Sequence, residues 1–237
     1  MYVMLGGFGV HTLAIATRWI VSGRTPATNM HESLIFFAWV TVGFFVFILY
    51  KYRVPVLGAF VTPFALFLMI AASFLPSDIV PLSPVLESYW LPFHIFIAFL
   101  GNACFALAFF LGVMYLIQDR YLKKRKVQGL YYLLPSLELI DELSYRCLSY
   151  GFPLLTLGII TGAIWSQHSL GTYWMWKHRQ IWSLITWFLY AALLHGRLTS
   201  GWRRKKAAML SIAAFLTLIG TFLIINIVLG GAHGYTS

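Results

Sequence analysis

The chain has 237 residues, of which 60% are hydrophobic and 10% are charged, and its mean hydropathy is +0.79. A soluble globular domain has about 45–50% apolar and about 25% charged residues, so the composition excludes an ordinary soluble domain, a disordered chain and a disulfide scaffold. The 17 Lys and Arg residues outnumber the 7 Asp and Glu residues, which gives a net charge of +10. In a soluble protein such an excess would suggest nucleic acid, whereas in a membrane protein it marks cytoplasmic loops. We therefore predict membrane lipid as a partner and no nucleic acid.

Several apolar stretches are long enough to cross a bilayer, which takes about 20 residues in a helix. We therefore predict an all-α fold, a polytopic transmembrane helix bundle that forms a single integral membrane domain over residues 1–237. The seven predicted spans are residues 2–22, 32–50, 56–75, 90–118, 146–166, 181–199 and 207–230.

The basic residues predict the orientation of these spans. They concentrate in the loops 51–55, 119–145 and 200–206, which lie on one side if there are seven spans. Positively charged loops stay cytoplasmic, so the N-terminus is predicted inside and the C-terminus outside. The 119–145 loop also has apolar residues at helical spacing over 135–143, which predicts a short amphipathic helix on the cytoplasmic surface. Its acidic residues form either a solvated face or a contact for a partner.

A tryptophan-rich segment, residues 165–182, lies between the fifth and sixth predicted spans on the predicted outer side. Two tryptophans would suit an interfacial aromatic belt, whereas four in one short loop also suit a platform for a large planar ligand. Lys177 and Arg179 could pair with carboxylates on such a ligand. Haem has this combination, since it has a flat macrocycle, two propionates and an iron that takes imidazole. The aromatic members are Trp165, Tyr173, Trp174, Trp176 and Trp182.

Two histidines are predicted to lie level with this segment. His94 is four residues into the fourth span and His233 is just past the seventh. Imidazoles on two helices at one depth can ligate an iron from opposite faces. His195 and His11 fall at depths that agree within roughly 5 Å, which is compatible with a second, inner pair of haem ligands. Arg18 in the first span is expected to snorkel outward, with a propionate contact as the alternative.

Several stretches of the chain resemble the cytochrome c assembly family, the CcsA/ResC and CcmC haem-handling superfamily, whose signature is a tryptophan-rich outer-face "WWD" segment. The resemblance covers nearly the whole chain. It is strongest in GIITGAIW at 158–165, GTYWMW at 171–176, WSLITW at 182–187 and HGR at 195–197.

This resemblance implies a haem-binding protein of cytochrome c biogenesis in the bacterial cytoplasmic (inner) membrane, with the Trp-rich loop on the periplasmic side. A non-covalent b-type haem would be held by His94 and His233 for attachment to apocytochrome c. The resemblance also implies that His195 belongs to a transmembrane relay site, with His11 as a further match. A ResB/Ccs1-like membrane protein is the implied partner, and a place in a cytochrome c haem lyase complex stays open.

The chain departs from the family pattern W-G-x-Y-W-x-W-D-P-K-E. Leu170 replaces its first Trp, Lys177 stands in the place of the Asp, and residues 178–180 replace Pro-Lys-Glu. These departures leave a second hypothesis, a HemX-like membrane regulator of haem synthesis without ligation activity, whose contact would be the 119–145 loop. A transporter is less favoured because paired broken helices and inward carboxylates are missing from the sequence. A membrane cytochrome b would share the histidine pairs but would not need a Trp-rich surface loop.

Overall fold

The computed structural model describes residues 2–79, 88–124 and 130–223, which are helical with short connections and contain no strand. This confirms the predicted all-α fold. The helices are α1 (Tyr2–Ser22), α2 (Met30–Tyr52), α3 (Gly58–Ser73), α4 (Trp90–Lys123), α5 (Leu130–Leu133), α6 (Leu137–Leu170), α7 (His178–Thr199) and α8 (Arg204–Leu223), with a 3-10 turn at Pro55–Leu57 before α3.

Six of the described helices, namely α1, α2, α3 with its 3-10 turn, α4, α6 and α7, are long and apolar enough to cross a membrane. They correspond to the first six predicted spans, so the polytopic bundle is confirmed. The seventh predicted span, 207–230, begins within α8, and its last residues lie outside the described part of the chain. The orientation of the termini stays a prediction.

Two helices are much longer than a bilayer requires. Helices α4 and α6 have 34 residues each, which corresponds to about 51 Å at a rise of about 1.5 Å per residue, against a hydrocarbon core of about 30 Å. The end of α4 and the start of α6 carry charged residues that pair one helical turn apart. Asp119 lies 2.6 Å from Lys123, and Glu142 pairs with Arg146. Such pairs stabilise a helix that continues into water.

This continuation corrects the predicted form of the 119–145 loop. Residues 137–145 are the first turns of α6 and not a separate amphipathic helix. Ser136 caps that helix, since its hydroxyl accepts a hydrogen bond from the Leu139 N–H at 3.3 Å. The apolar spacing did mark a helix, but no helix-breaking residue separates it from the fifth span.

The core of the bundle is built around α4, which packs against α2, α6 and α8. Glycines let α4 and α6 approach closely. A Cβ atom on Gly101 would lie 3.1 Å from the backbone N of Leu155, and one on Gly151 would lie 2.7 Å from the Phe105 ring. Small residues at helix contacts are typical of membrane bundles, because close packing is a main source of attraction between helices in lipid.

The bundle has two ends, and the site concerns one of them. We call the end that carries residues 171–177, between α6 and α7, the Trp-loop end. Helix α4 begins there, since its first turns lie against the last turns of α6. Helix α2 also begins there, since Phe36 near its start packs on Phe99 in the first half of α4, with 5.5 Å between ring centroids. The end of α3 is close by, because His31 Nδ1 lies 2.8 Å from the carbonyl oxygen of Ala72.

The opposite end is held by a buried ion pair. The guanidinium of Arg197 on α7 donates to both carboxylate oxygens of Asp141 on α6, each at 3.0 Å. Asp141 also accepts the backbone N–H of Arg204 at 3.1 Å, which fixes the start of α8. Nearby, the Trp202 ring packs on Gly196, and the ammonium group of Lys206 lies 3.9 Å from the centre of that ring.

Candidate functional site

His94 lies in the second turn of α4, partly buried against α6. Its Nδ1 atom is 2.8 Å from the carbonyl oxygen of Gly158. A carbonyl oxygen only accepts, so Nδ1 carries the hydrogen and donates it. Nε2 therefore carries the lone pair, and no described group hydrogen-bonds to it. A neutral imidazole held through one nitrogen is the usual form of a metal-ligating histidine.

The Trp-rich segment is mostly helical in the structure. Helix α6 carries Trp165 and α7 carries Trp182, and only residues 171–177 form the connection. Gly171 ends α6 with φ of +74°, in the left-handed region that favours glycine. The buried hydroxyl of Ser166 donates to the carbonyl oxygen of Thr172 at 2.7 Å. The connection is thus tied back onto the last turn of α6.

At the start of α7, a side chain inside the helix makes capping hydrogen bonds, but the N-cap residue does not. The side-chain oxygen of Gln180 accepts the backbone N–H groups of Met175 at 3.0 Å and of Lys177 at 3.3 Å. Lys177 occupies the N-cap position, where Asp, Asn, Ser or Thr would normally accept a hydrogen bond from the first turn. A lysine has no acceptor, so the cap from the N-cap side chain is missing.

The connection presents aromatic rings at the surface. Tyr173 is 61% exposed and Trp176 is 69% exposed. The rings of Trp174 and Trp176 pack edge to face, with 5.8 Å between their centroids. Trp176 has φ of 55°, in a region that bulky residues rarely adopt. Strain of this kind is typical of functional sites.

Two indole N–H groups in this segment have no acceptor. The Nε1 atoms of Trp165 and Trp174 are buried and make no hydrogen bond among the described residues. A buried donor without an acceptor is costly and calls for an explanation, such as a bound group that supplies the acceptor. Lys177 and Arg179, at the start of α7, are exposed. Donors and cations together fit a ligand with carboxylates.

Trp90 belongs to this surface, and the sequence analysis did not single it out. Its ring stacks on the His168 ring, with 6.3 Å between centroids and an interplanar angle of 15°. Trp90 precedes His94 by four residues, so both lie on one face of α4. This spacing could have identified Trp90 from the sequence.

Arg18 reaches towards the Trp-loop end and is paired there, and the choice between outward snorkelling and a propionate contact stays a prediction. Its guanidinium lies 2.9 Å from a carboxylate oxygen of Glu32 and donates to the carbonyl oxygen of Ser77 at 2.9 Å. The Glu32 side chain is fully buried, and it also accepts the backbone N–H of Thr28 at 3.0 Å and lies 3.5 Å from Arg24. The sequence signal was an acid at a span end that follows two arginines. This cluster fixes α1, α2 and the segment after α3 at the Trp-loop end.

Contacts among the described residues do not test the other three predicted histidine ligands. His233 lies outside the described residues. His195 is exposed on α7, and His11 on α1 has a buried Nε2 atom without a hydrogen-bond partner. Helix α1 packs on α2, whereas α7 packs on α6 and α8. The pairing of His195 with His11 therefore stays a prediction, as does the pairing of His94 with His233.

Comparisons with known proteins place these features in a family. The family model described as "Cytochrome C assembly protein" matches residues 27–233. The chain is 35% identical to a "Cytochrome c biogenesis protein CcsA" of Guillardia theta, over 94% of this chain and 81% of that protein. It is 34% identical to the protein of that name from Prochlorococcus marinus (strain MIT 9301), over 94% and 80% of the two chains. This chain therefore belongs to the cytochrome c assembly protein family.

Proposed function

We propose that this chain binds haem at the Trp-loop end and presents it for attachment to apocytochrome c, and that His94 would hold the iron. Its family and its relatives' names support a role in cytochrome c biogenesis. The observation that carries the finer proposal is the His94 imidazole. Its Nε2 lone pair is available because Nδ1–H is engaged by Gly158.

The aromatic rings around the Trp-rich connection support a planar ligand. Trp176 and Tyr173 offer large exposed faces, while Trp165, Trp174 and Trp182 are partly buried beside them. Rings bury much area with few rotamers to freeze, so they suit the contact with a porphyrin. When bound, haem supplies an iron centre and two vinyl groups that react with thiols.

The polar groups of the same segment support the binding of propionates. The N–H groups of Trp165 and Trp174, which make no hydrogen bond among the described residues, can donate to carboxylates, and Lys177 and Arg179 carry positive charge at the start of α7. Hydrogen bonds between a cation and a carboxylate are about twice as strong as neutral ones. We assign these four side chains to the propionate side of the ligand.

His233 would be the second residue that holds the iron. The described part of α8 packs against α4, with 5.0 Å between the ring centroids of Phe215 and Phe109. Helix α8 runs antiparallel to α4, so its described part leads towards the level of His94. His195 and His11 are proposed as a second, inner site with less support, because the helices that carry them pack on different neighbours.

Attachment of haem to a c-type cytochrome requires thiols that add across the haem vinyl groups. Cys104 and Cys147 are both buried in the packed core. We propose that the thiols come from apocytochrome c, and that a ResB/Ccs1-like membrane protein is the partner. The role of this chain is then to bind and orient haem, with the Trp-rich loop on the outer side of the bacterial cytoplasmic membrane.

The HemX-like regulatory alternative has less support. Its contact would be the basic and acidic 119–145 stretch, and three of the acidic residues there are engaged within the chain. Asp119 pairs with Lys123, Asp141 pairs with Arg197, and Glu142 pairs with Arg146. A partner would have to displace these pairs.

The proposal is tested by haem titration of the purified protein in detergent, followed by absorption spectroscopy. The variant His94→Ala should bind haem far more weakly than the wild type. The matched control is His31→Ala, which also removes a ring that hydrogen-bonds to a backbone carbonyl at the Trp-loop end. If His94→Ala retained the affinity and spectrum of the wild type, the proposed ligand would be wrong.

A further inference from the structure

Building on the proposed haem site, we infer that Gly162 is a positioning residue that sets the place of the His94 ring, while the carbonyl of Gly158 sets its tautomer. The two glycines lie one turn apart on α6, on the face that meets α4. Together they form a cradle in which the imidazole is fixed before any ligand arrives. Both residues are glycines, so only their contacts with His94 show that they act on it in different ways.

Gly162 leaves room for the imidazole itself. A Cβ atom on Gly162 would lie 2.8 Å from Cε1 of His94 and 3.0 Å from Nδ1. Real Cβ atoms almost never approach this closely, so any side chain there would displace the ring. The Gly162 backbone cannot retreat, because it belongs to the continuous helix α6, which is closely packed on α4.

Gly158 contributes its oxygen and does not depend on being a glycine in the same way. Its carbonyl oxygen accepts the His94 Nδ1–H at 2.8 Å. A Cβ atom on Gly158 would lie 3.4 Å from Cα and 3.5 Å from Cβ of Ala98, which is ordinary contact, and would not meet the imidazole. The same extra methyl group on α6 therefore has two different consequences at two positions one turn apart.

Displacing the ring weakens a ligand in two ways. The Nδ1–H loses its acceptor, and Nε2 no longer points in its original direction. Groups that orient a ligating histidine through its other nitrogen typically contribute about 10–100-fold to metal affinity. Gly162 thus acts through His94 and touches neither the iron nor the porphyrin in this proposal.

The experiment compares Gly162→Ala with the matched control Gly151→Ala by haem titration of the purified protein. We expect Gly162→Ala to weaken haem binding by about 10–100-fold and to shift the Soret band. Gly151→Ala should keep the wild-type spectrum, because its Cβ atom would meet the Phe105 ring of α4 and not the His94 imidazole. The double variant Gly162→Ala/His94→Ala should bind haem as weakly as His94→Ala alone, because the glycine has no ring left to position.

The possible failures are distinguishable. If His94→Ala itself retained haem, the proposed function would fail. If His94→Ala lost haem but Gly162→Ala did not, only the positioning role would be wrong. Equal losses in Gly162→Ala and Gly151→Ala would indicate general disturbance of the packing between α4 and α6 and would also overturn the positioning role. If Gly162→Ala folds poorly, a measurement on the unmutated protein still tests the proposal. Nitrogen-15 NMR of labelled histidines in the haem-free wild type should show a protonated Nδ1 at His94. A protonated Nε2 there would overturn the proposal.

Discussion

Arg18 on α1 and Glu32 on α2 form an ion pair at 2.9 Å, in which the carboxylate side chain is fully buried and the arginine side chain is 20% exposed. The pair lies at the Trp-loop end, and Arg18 also binds the backbone of Ser77 in the segment after α3. Burial makes the pair sensitive to the loss of one partner, since the remaining charge is left without compensation.

Replacing Glu32 by Gln should destabilise the protein by about 3 kcal/mol, because the charge of Arg18 then loses the buried carboxylate that compensates it. The check is the free energy of unfolding in detergent. The matched control is Glu142→Gln, which breaks the exposed pair with Arg146 and should cost less than about 1 kcal/mol. Equal losses in the two variants would contradict the special role of the buried pair.

Lys177 at the N-cap of α7 offers a second test. Lys177→Asn and Lys177→Asp should each stabilise the haem-free protein by about 1 kcal/mol, since both supply the acceptor that lysine lacks at this position. Aspartate should gain slightly more through the helix dipole. The measurement is thermal unfolding without haem. Haem affinity should fall at the same time if Lys177 contacts a propionate, whereas unchanged melting in both variants would refute the capping role.

Gly196 and Gly220 provide a contrast within the last two described helices. A Cβ atom on Gly196 would overlap the Trp202 ring, whereas one on Gly220 would meet nothing within 4 Å. Gly196→Ala should therefore destabilise the protein by about 1–3 kcal/mol through overpacking. Gly220→Ala should be neutral or stabilise it by up to about 1 kcal/mol. Chemical denaturation of the two variants checks this, and a neutral Gly196→Ala would show that the Trp202 contact is weak.

Trp176 should matter for haem and little for folding. Its ring is 69% exposed and its backbone adopts a left-handed conformation. Trp176→Ala should weaken haem binding severalfold while the unfolding transition stays within about 0.5 kcal/mol of the wild type, the usual range for surface substitutions. Haem titration and unfolding of the same preparation measure both. Loss of stability without loss of haem binding would assign the ring to packing.

The spans and the Trp-rich segment could be predicted because apolar runs and aromatic clusters are local patterns. The helix ends could not be placed as well, because α4 and α6 continue beyond the apolar runs on charged residues such as Asp119 and Arg146 that pair one turn apart. The partner of Arg18 was missed because Glu32 lies on another helix, and only the packing of α1 on α2 brings the two together.

For the candidate site, too, the sequence could indicate a residue but not its contacts on other helices. His94 was identified from its position in a span, but its acceptor Gly158 is 64 residues away and belongs to α6. The role of Gly162 could not be inferred from sequence, since a glycine in an apolar helix indicates close packing without indicating which group approaches it. Trp90, four residues before His94, was within reach of sequence reasoning.

The central claim is the proposal that His94 and His233 would together hold one haem iron. Electron paramagnetic resonance of the ferric, haem-loaded protein tests it most directly. The account predicts a low-spin signal typical of two imidazole ligands in the wild type, and loss of that signal in both His94→Ala and His233→Ala. A low-spin signal that persisted unchanged in either variant would contradict it.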